Sequence, residues 1–413
     1  MTALQILAAL VTVTAAFSYI NHRWIRLPAA IGIMAISLGA SLLMIAADRL
    51  GWLRAADLAT RILERVALDQ ALLHGALGIL LFAGALHIDL GELREQRLPV
   101  VLLAIGGTVC STFIVGLLAY LALPWLGLPV PFGFCLLFGA LISPTDPIAV
   151  LGILKGAGVP KSLEMQIVGE SLFNDGVGVV IFATVLEVAT SHQPVTVAAV
   201  LRDFGREAVG GAAFGLGSGY LAFRLLRTID HYQTELLITL ALVLGGYALA
   251  ERLHVSAPIA AVFSGLVIGN PGRALGMSSL TRDTLDKFWS LVDEVLNALL
   301  FVLVGFELVR LTISFSALAA GALMIPVVLI ARLASVSGVV ALLGRRCRFP
   351  PGAHRLLTWG GLRGGISVAL ALSIDDPRPM RDLLVTMTYV VVVFSILVQG
   401  LTLGGLARRS SPR

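Results

Sequence analysis

Charged residues are scarce in this chain: Asp, Glu, Lys and Arg make up 13% of its 413 residues, and aromatic residues make up 7%. Soluble domains carry about 25% charged residues, so the composition excludes an ordinary soluble protein. Hydrophobic residues account for 57% of the sequence, and its 43 glycines suit membrane helices, whose backbones approach closely where side chains are small. The composition therefore predicts an integral membrane protein.

Cysteines are few and enzyme motifs are lacking. The three cysteines, Cys110, Cys135 and Cys347, show no CxxC or metal-ligand spacing, which argues against a disulfide framework and a metal cluster. The HExxH and GxSxG motifs of hydrolases are absent, so we expect neither an enzyme nor a cofactor. The net charge of +5 does not indicate nucleic-acid binding, because most Arg and Lys lie in short loops beside apolar runs, where they set topology.

Long apolar runs are frequent. A spanning helix needs roughly 20 apolar residues, and about thirteen segments approach that length, which predicts an all-α membrane protein. They lie at 2–20, 28–47, 71–88, 99–122, 132–154, 164–189, 205–223, 234–250, 257–270, 285–309, 317–343, 355–374 and 383–406. No basic region precedes the first segment, so we expect a retained helix there instead of a signal peptide. Residues 48–69 mix Arg with Asp and Glu and predict a helical loop on the membrane surface.

Basic residues are more frequent on one side of these spans. The loops of that side are 21–27, 89–98, 155–163, 224–233, 271–284, 344–355 and the tail from 407. Short cytoplasmic loops carry an excess of Lys and Arg, so we expect this side to face the cytoplasm. The sequence thus predicts a multi-pass protein of the cell (inner) membrane, with the N-terminus outside and the C-terminus in the cytoplasm.

Two of the segments are interrupted near their centres. The fifth contains the run SPTDP at 143–147, and the twelfth contains the run GGLRGG at 360–365. Their separation by seven segments relates helices 1–6 to helices 8–13 with opposite topology, which predicts inverted six-helix repeats. Paired broken helices are typical of transporters, so we expect helices 5 and 12 to cross, and the breaks indicate where the substrate binds.

Ionisable side chains near the centre of a spanning segment are costly and usually functional. Five such residues occur here: Asp146, Glu170, Asp175, Arg332 and Arg363. Carboxylates and guanidiniums at similar depth predict one polar site near the bilayer midplane. Structural ion pairs are the alternative interpretation, but ion pairs alone would not require two broken helices.

The sixth segment presents oxygen atoms along one face. Ser171 and Asp175 are four residues apart, as are Glu170 and Asn174, so each pair shares a helix face. Hard cations such as Na⁺ prefer oxygen ligands, so the hydroxyl and the carboxylate are candidate ligands. The alternative is a Ser171 hydroxyl that bonds back to its own helix.

The two breaks free backbone groups at mid-membrane. Pro144 and Pro147 remove two backbone donors beside Asp146, and the carbonyls freed there can ligate a cation. Arg363, which stays protonated, could neutralise Asp146 or the C-terminal ends of half-helices. The glycines around Arg363 have helix packing as an alternative role.

Four motifs carry a family resemblance. They are SPTDP at 143–147, GESLFNDG at 169–176, DEVLNALLF at 293–301 and GGLRGG at 360–365. Over most of its length the chain resembles the NhaP-type branch of the monovalent cation:proton antiporter superfamily, which includes the animal Na⁺/H⁺ exchangers. Within the third motif, Asp293, Glu294 and Asn297 either line a cytoplasmic funnel or have a structural role, and the sequence leaves both open.

The resemblance implies an elevator-type homodimer in the lipid bilayer. A scaffold would comprise residues 1–98 (helices 1–3) and 234–310 (helices 8–10), and a moving core would comprise 99–189 (helices 4–6) and 311–406 (helices 11–13). Residues 190–233 would form linker helix 7, and residues 407–413 a short cytoplasmic tail. The implied partners are H⁺ and a monovalent cation, Na⁺ or else K⁺ or Li⁺, without nucleic acid.

The resemblance also implies the ligands of the cation. Asp175 would bind the cation or the proton, while Ser171 and Thr145 would add oxygen ligands to Na⁺. Asp146 would lie nearby. Burial disfavours a charged carboxylate and a bound cation favours it, so H⁺ and Na⁺ would compete for Asp175. An empty, charged Asp175 would be costly to move across the barrier, which couples the two fluxes.

Supporting residues follow from the same resemblance. Glu170 would pair with Arg332 and hold Asn174 in place. Because Glu170 then stays ionised, Asp175 remains the main exchangeable carboxylate, and we expect one-for-one electroneutral exchange. Electrogenic relatives carry a second aspartate at the position of Asn174 and often a lysine at that of Arg332. Ala83 stands where some archaeal relatives have a Glu, so the choice between Na⁺ and K⁺ stays open.

Two other functions remain as alternatives. A K⁺/H⁺ antiporter would share every motif, and only ion competition would distinguish it. A cation channel usually needs a continuous selectivity filter, and the sequence contains none that we recognise.

Overall fold

The computed structural model describes residues 3–51, 75–146, 148–190, 196–311, 314–344, 347, 349, 352–374 and 378–410. Every regular element in these ranges is a helix, which confirms the all-α prediction for the described part of the chain. The surface helix expected at 48–69 lies outside the described residues from position 52 onwards. Pro147 and residues 71–74 of the third predicted segment also lie outside them.

The helices of the first half follow the predicted segments. Their bounds are α1 Ala3–Ile20, α2 Ala29–Arg49, α3 Leu77–Leu86, α4 Thr108–Ala122, α5a Phe132–Ile142, α5b Ile148–Ala157 and α6 Lys161–Thr190. Helix α4 is the central part of a longer helical stretch, Arg97–Leu126. Pro28 and Pro131 immediately precede α2 and α5a, where proline fits because the first backbone N–H groups of a helix have no helical acceptor.

The second half continues in the same way. Its helices are α7 Val197–Leu226, α8 Tyr232–Arg252, α9 Ala257–Val267, α10 Ser279–Glu307, α11 Phe315–Leu343, α12a Ala353–Trp359, α12b Gly365–Leu372, α13a Arg378–Phe394 and α13b Gly400–Ser410. The π-helical turn Ser395–Gln399 joins α13a to α13b, so the last helix extends four residues beyond its predicted end. Hydroxyl groups accept from backbone N–H groups at the starts of four of these helices and stabilise them there; these residues are Thr196, Ser256, Ser278 and Ser314.

Membrane-crossing helices dominate the described ranges. Nine helices there are long and apolar enough to span a bilayer. Three shorter apolar helices accompany them: Leu77–Leu86, Phe132–Ile142 and Ala257–Gly272. Both predicted breaks are present. Helices α5 and α12 each consist of two half-helices, and the chain is non-helical at 143–146 and 360–364.

The helices pack as two groups. In one group α5a contacts α4 and α6, and α11 contacts α4, α12a and α13a. In the other group α9 contacts α3, α7 and α8, while α10 contacts α2 and α3. The groups meet where α6 contacts α9 and where α10 contacts α12b. The interrupted helices therefore lie close to the boundary between the groups.

Candidate ion-binding site

The two broken helices cross at their breaks. Helix α5a ends at Ile142 and α12a ends at Trp359, and the chain is non-helical for a few residues after each. The backbone N–H of Asp146 donates a hydrogen bond of 2.8 Å to the carbonyl oxygen of Leu362. The crossing thus pairs backbone groups that the breaks leave without partners in their own helices, as the interior of a membrane protein requires.

A hydroxyl network joins α6 to the first break. The Thr145 and Ser171 hydroxyl oxygens are 2.9 Å apart. Asn174 uses both ends of its amide: Oδ1 accepts from the Thr145 backbone N–H at 3.2 Å, and Nδ2 donates to Thr145 Oγ1 at 2.8 Å. Ser171 therefore contacts Thr145, as expected for a shared set of oxygen ligands, and Asn174 fixes the orientation of Thr145.

The two aspartates of the expected site line one cavity. Asp146 and Asp175 are only 7% and 4% exposed, and both contribute to the wall of a cavity of about 900 Å³. Carboxylates so poorly exposed are stable when they bind a proton or a cation. Both side chains therefore border the same open space.

The opposite wall of the cavity comes from the other helix group. Asp293, Glu294 and Asn297 of α10 all line it, which favours the funnel interpretation of these residues. Asn297 also donates a 3.1 Å hydrogen bond to Asp293 Oδ1, so the pair has a structural contact as well. The cavity is also lined by His87, Asp89, Glu92, Lys161 and Glu164. Three of these five lie in loops expected on the cytoplasmic side, and His87, Asp89 and Lys161 are exposed.

A buried ion pair connects α6 to α11. Arg332 contacts both carboxylate oxygens of Glu170, with Nη2 at 2.9 Å from Oε2, as the resemblance predicts. The Glu170 and Arg332 side chains are 1% and 6% exposed. Arg332 also donates from Nε and Nη2 to the carbonyl oxygen of Leu357 at 3.2 and 3.0 Å. The pair therefore also satisfies a carbonyl in the last turn of α12a.

Arg363 performs the corresponding task for the other broken helix. Its Nη1 atom donates to the carbonyl oxygens of Ser143 and Pro144 at 2.6 and 2.9 Å. These carbonyls follow the last turn of α5a, where the helix dipole places partial negative charge. Of the two partners considered for Arg363 from the sequence, the described hydrogen bonds go to the C-terminal end of the half-helix.

Three glycines of the second break allow close approach. A Cβ atom added at Gly361 would lie 2.6 Å from Arg332 Nε. One added at Gly364 would overlap the Asp146 side chain, and one added at Gly365 would overlap Leu300 of α10. Two of the three therefore face functional candidates, so these glycines serve the site as well as packing.

In the described part of the chain, no carboxylate of helix α3 lines the cavity. Ala83 is fully buried, and its carbonyl oxygen contacts His87 Nδ1 at 2.7 Å. The α3 residues that line the cavity are Leu80, Leu81 and Gly84, together with His87 at the end of the helix. Among the residues that the structure describes, the carboxylates that line the cavity belong to the break in α5, to α6, to α10 and to the segment after α3.

Three uncharged residues that were not predicted from the sequence form hydrogen bonds at the breaks. Thr112 of α4 donates to Ser143 Oγ at 3.2 Å. On α13, Ser395 accepts from the Arg363 backbone N–H, and Gln399 donates to the Trp359 carbonyl. Their only signal in the sequence is polarity at mid-segment, which a search confined to ionisable residues does not use.

The chain is similar to known membrane transporters. Residues 9–409 match the family described as sodium/hydrogen exchanger, transmembrane. Over 410 residues the chain is 50% identical to the Na⁺/H⁺ antiporter NhaP of Pseudomonas aeruginosa, which covers 98% of this chain and 96% of that protein. It is 37% identical over 340 residues to the Na⁺/H⁺ antiporter NhaH of Halobacillus dabanensis, covering 81% of each.

The fold is similar to that of a solved structure. The sodium proton antiporter MjNhaP1 from Methanocaldococcus jannaschii, solved at pH 8, matches with a TM-score of 0.70. The match covers 92% of this chain and 98% of that one, at 20% sequence identity. At that identity the likeness establishes the helical architecture alone.

Proposed function

The chain belongs to the transmembrane sodium/hydrogen exchanger family, and from this premise we propose that it is a multi-pass membrane antiporter exchanging Na⁺ for H⁺. One observation carries the proposal. Asp146 and Asp175 line a single cavity, and the Thr145 and Ser171 hydroxyls meet at 2.9 Å beside the break that contains Asp146. Carboxylate and hydroxyl oxygens are the ligands that a hard monovalent cation prefers. Thr145 lies next to Asp146 in the chain, and Ser171 lies four residues before Asp175.

In this proposal Asp175 is the group that exchanges ions. It binds Na⁺ together with Ser171 and Thr145, or it binds H⁺ in place of Na⁺, with Asp146 adjacent. Because one carboxylate accepts either ion, the two compete, and the KM for Na⁺ rises as the pH falls. An empty carboxylate is costly to carry across a dry barrier, so the site moves only when loaded.

The supporting charges keep the stoichiometry at one for one. The Glu170 carboxylate is occupied by its ion pair with Arg332, so it is not counted as a site for the transported ion. Arg332 and Arg363 stay protonated, and Asn174 does not titrate. Asp175 then exchanges one Na⁺ for one H⁺, which makes transport electroneutral.

Movement of the site is proposed to follow an elevator scheme within a homodimer. Residues 99–189 and 311–406 form the moving core, and residues 1–98 and 234–310 form the scaffold, with 190–233 as the linker. The cavity supports this division, because its lining residues come both from α5, α6 and α12 of the core and from α2, α3 and α10 of the scaffold. Sliding of one group against the other would move Asp175 between the two membrane faces.

The protein is proposed to lie in the inner membrane of the cell. Its cavity is proposed to open to the cytoplasm. The loops at 89–98 and 155–163 belong to the side richer in Lys and Arg, and residues from both line the cavity, which supports this orientation. The N-terminus then lies outside, and the tail from residue 407 lies in the cytoplasm.

The exchange activity can be tested with purified protein in proteoliposomes that contain a pH-sensitive dye. Na⁺, K⁺ and Li⁺ are added in turn at equal concentrations across an imposed pH gradient. We expect Na⁺ to drive H⁺ movement in a saturable manner. Absence of a response to all three ions would refute the proposal. A response to K⁺ alone would favour the K⁺/H⁺ alternative, and unitary currents in planar bilayers would indicate a channel.

A further inference from the structure

The π-helical turn of the last helix holds broken helix α12 from outside the ion site. Ser395 and Gln399 are the first and last residues of this turn, and they are 0% and 4% exposed. Ser395 Oγ accepts a hydrogen bond of 2.9 Å from the backbone N–H of Arg363. Gln399 Nε2 donates one of 3.1 Å to the carbonyl oxygen of Trp359, the last residue of α12a.

Both backbone groups need these side chains because of the break. The last carbonyls of a helix have no donor within the helix, and an N–H between two half-helices has no helical acceptor. Water does not reach such groups inside a membrane protein unless a cavity brings it, so protein atoms must satisfy them. The Thr402 hydroxyl adds a third contact, accepting from the Trp359 indole N–H at 2.9 Å.

Arg363 connects the second break to the proposed ion site through hydrogen bonds of its backbone and its side chain. Its backbone is held by Ser395, while its guanidinium donates to the carbonyls of Ser143 and Pro144. Those two residues immediately precede Thr145, whose hydroxyl belongs to the proposed ligand set. A displaced Arg363 backbone would therefore shift the carbonyls that set the place of Thr145.

We propose that Ser395 and Gln399 are positioning residues for cation binding that act through the second break and Arg363 and do not touch the ion. This inference rests on the proposed exchange of Na⁺ for H⁺. Its consequence is specific: loss of either side chain distorts the ligands, so the KM for Na⁺ rises while kcat per folded molecule is largely kept. A purely structural role would instead reduce the amount of active protein and leave KM unchanged.

The test compares Ser395→Ala and Gln399→Leu with Thr386→Ala in proteoliposomes. The H⁺ flux of each variant is normalised to its amount of monodisperse protein. Thr386 is a matched control, because it lies on α13a, is 2% exposed, and its hydroxyl bonds to the Asp382 carbonyl of its own helix. Na⁺-dependent H⁺ flux is measured over a range of Na⁺ concentrations. We expect KM to rise about tenfold for Ser395→Ala, equivalent to about 1.4 kcal/mol, and severalfold for Gln399→Leu, with kcat within threefold and the control unchanged.

Several results would overturn the inference. These are a KM within twofold of wild type in both variants, a lower kcat at unchanged KM, or loss of folded protein in both. If wild type and Thr386→Ala transport Na⁺ normally while KM is unchanged in Ser395→Ala and Gln399→Leu, only this inference fails. If wild type shows no Na⁺-dependent flux, the proposed function fails instead.

Discussion

The Nη1 atom of Arg363, on the second broken helix, donates a hydrogen bond of 2.6 Å to the carbonyl oxygen of Ser143, on the first. Arginine stays protonated at any accessible pH, so a permanent positive charge stabilises the negative end of α5a. Arg332 provides the same contact for α12a through the carbonyl of Leu357. The two arginines therefore allow both half-helices to end within the membrane, close to the aspartates of the site.

Removal of the Asp175 carboxylate is expected to abolish exchange. Asp175→Asn preserves shape but can neither release a proton nor neutralise a cation, so Na⁺-dependent H⁺ flux should fall to the level of empty liposomes. Glu164→Gln is the control, because Glu164 lines the same cavity but lies in the first turn of the same helix. Flux near wild type in Asp175→Asn would remove Asp175 from the mechanism.

Breaking the Glu170–Arg332 pair is expected to destabilise the fold as well as the site. Removal of one partner leaves a buried charge uncompensated, which typically costs about 3–5 kcal/mol. Glu170→Ala should therefore clearly lower the midpoint temperature of thermal unfolding in detergent. The double variant Glu170→Ala/Arg332→Ala should lose less free energy of unfolding than the sum of the losses in the two single variants, because the partners are coupled.

An exposed ion pair provides the comparison for that experiment. Lys287 and Asp283 of α10 are paired at 2.6 Å, but their side chains are 75% and 61% exposed. Exposed pairs contribute little to stability, so Lys287→Ala should leave the midpoint almost unchanged. Equal midpoints for Glu170→Ala and Lys287→Ala would contradict a stabilising role of the buried pair.

A methyl group at Gly364 is expected to impair ion binding. The added Cβ would overlap the Asp146 side chain from its Cβ to its carboxylate, so the aspartate or the break must move. Gly364→Ala should reduce Na⁺-dependent flux at least about tenfold, the effect of a transition-state penalty of about 1.4 kcal/mol. Gly338→Ala in α11 is the control, since its added Cβ meets no atom within 4 Å. Equal fluxes in the two variants would show that Asp146 tolerates displacement.

Electroneutral exchange is expected to be insensitive to voltage. The initial Na⁺/H⁺ exchange rate is measured in proteoliposomes with the membrane potential clamped at zero and then at about −100 mV. One net charge moved per cycle would experience about 2.3 kcal/mol per 100 mV. We expect equal rates, because Asp175 is the main exchangeable carboxylate in the proposed site. A clear voltage dependence would show that a second proton moves.

The broad architecture follows from the sequence because it depends on local properties. Runs of about 20 apolar residues determine spanning helices. Two prolines within four residues, or four glycines within six, disfavour a helix, whereas the single Pro326 and the pair Gly245-Gly246 are accommodated inside α11 and α8. The breaks at 143–147 and 360–365 were therefore predictable, and α5 and α12 are interrupted there. Ionisable residues at mid-segment were equally visible, since their cost in a membrane does not depend on which helix lies beside them.

The partners of those residues were less predictable. The family motifs implied that Glu170 pairs with Arg332, and the structure contains that pair. For Arg363 the sequence left two partners open, because a backbone carbonyl has no signature in the sequence. The contribution of Ser395 and Gln399 was invisible for the same reason: each bonds a backbone group about 30 to 40 residues away, exposed by a break in another helix.

The sequence by itself determined that this chain is a bundle of apolar helices, two of them interrupted, with carboxylates and guanidiniums near their centres. These features depend on local composition and on the cost of burying charge. Only the tertiary structure decided which backbone groups pair where the breaks cross, that both arginines satisfy the ends of half-helices, and that Asp293 lines the same cavity as Asp146 and Asp175. Such contacts depend on how helices far apart in the chain pack, and no local pattern encodes that packing.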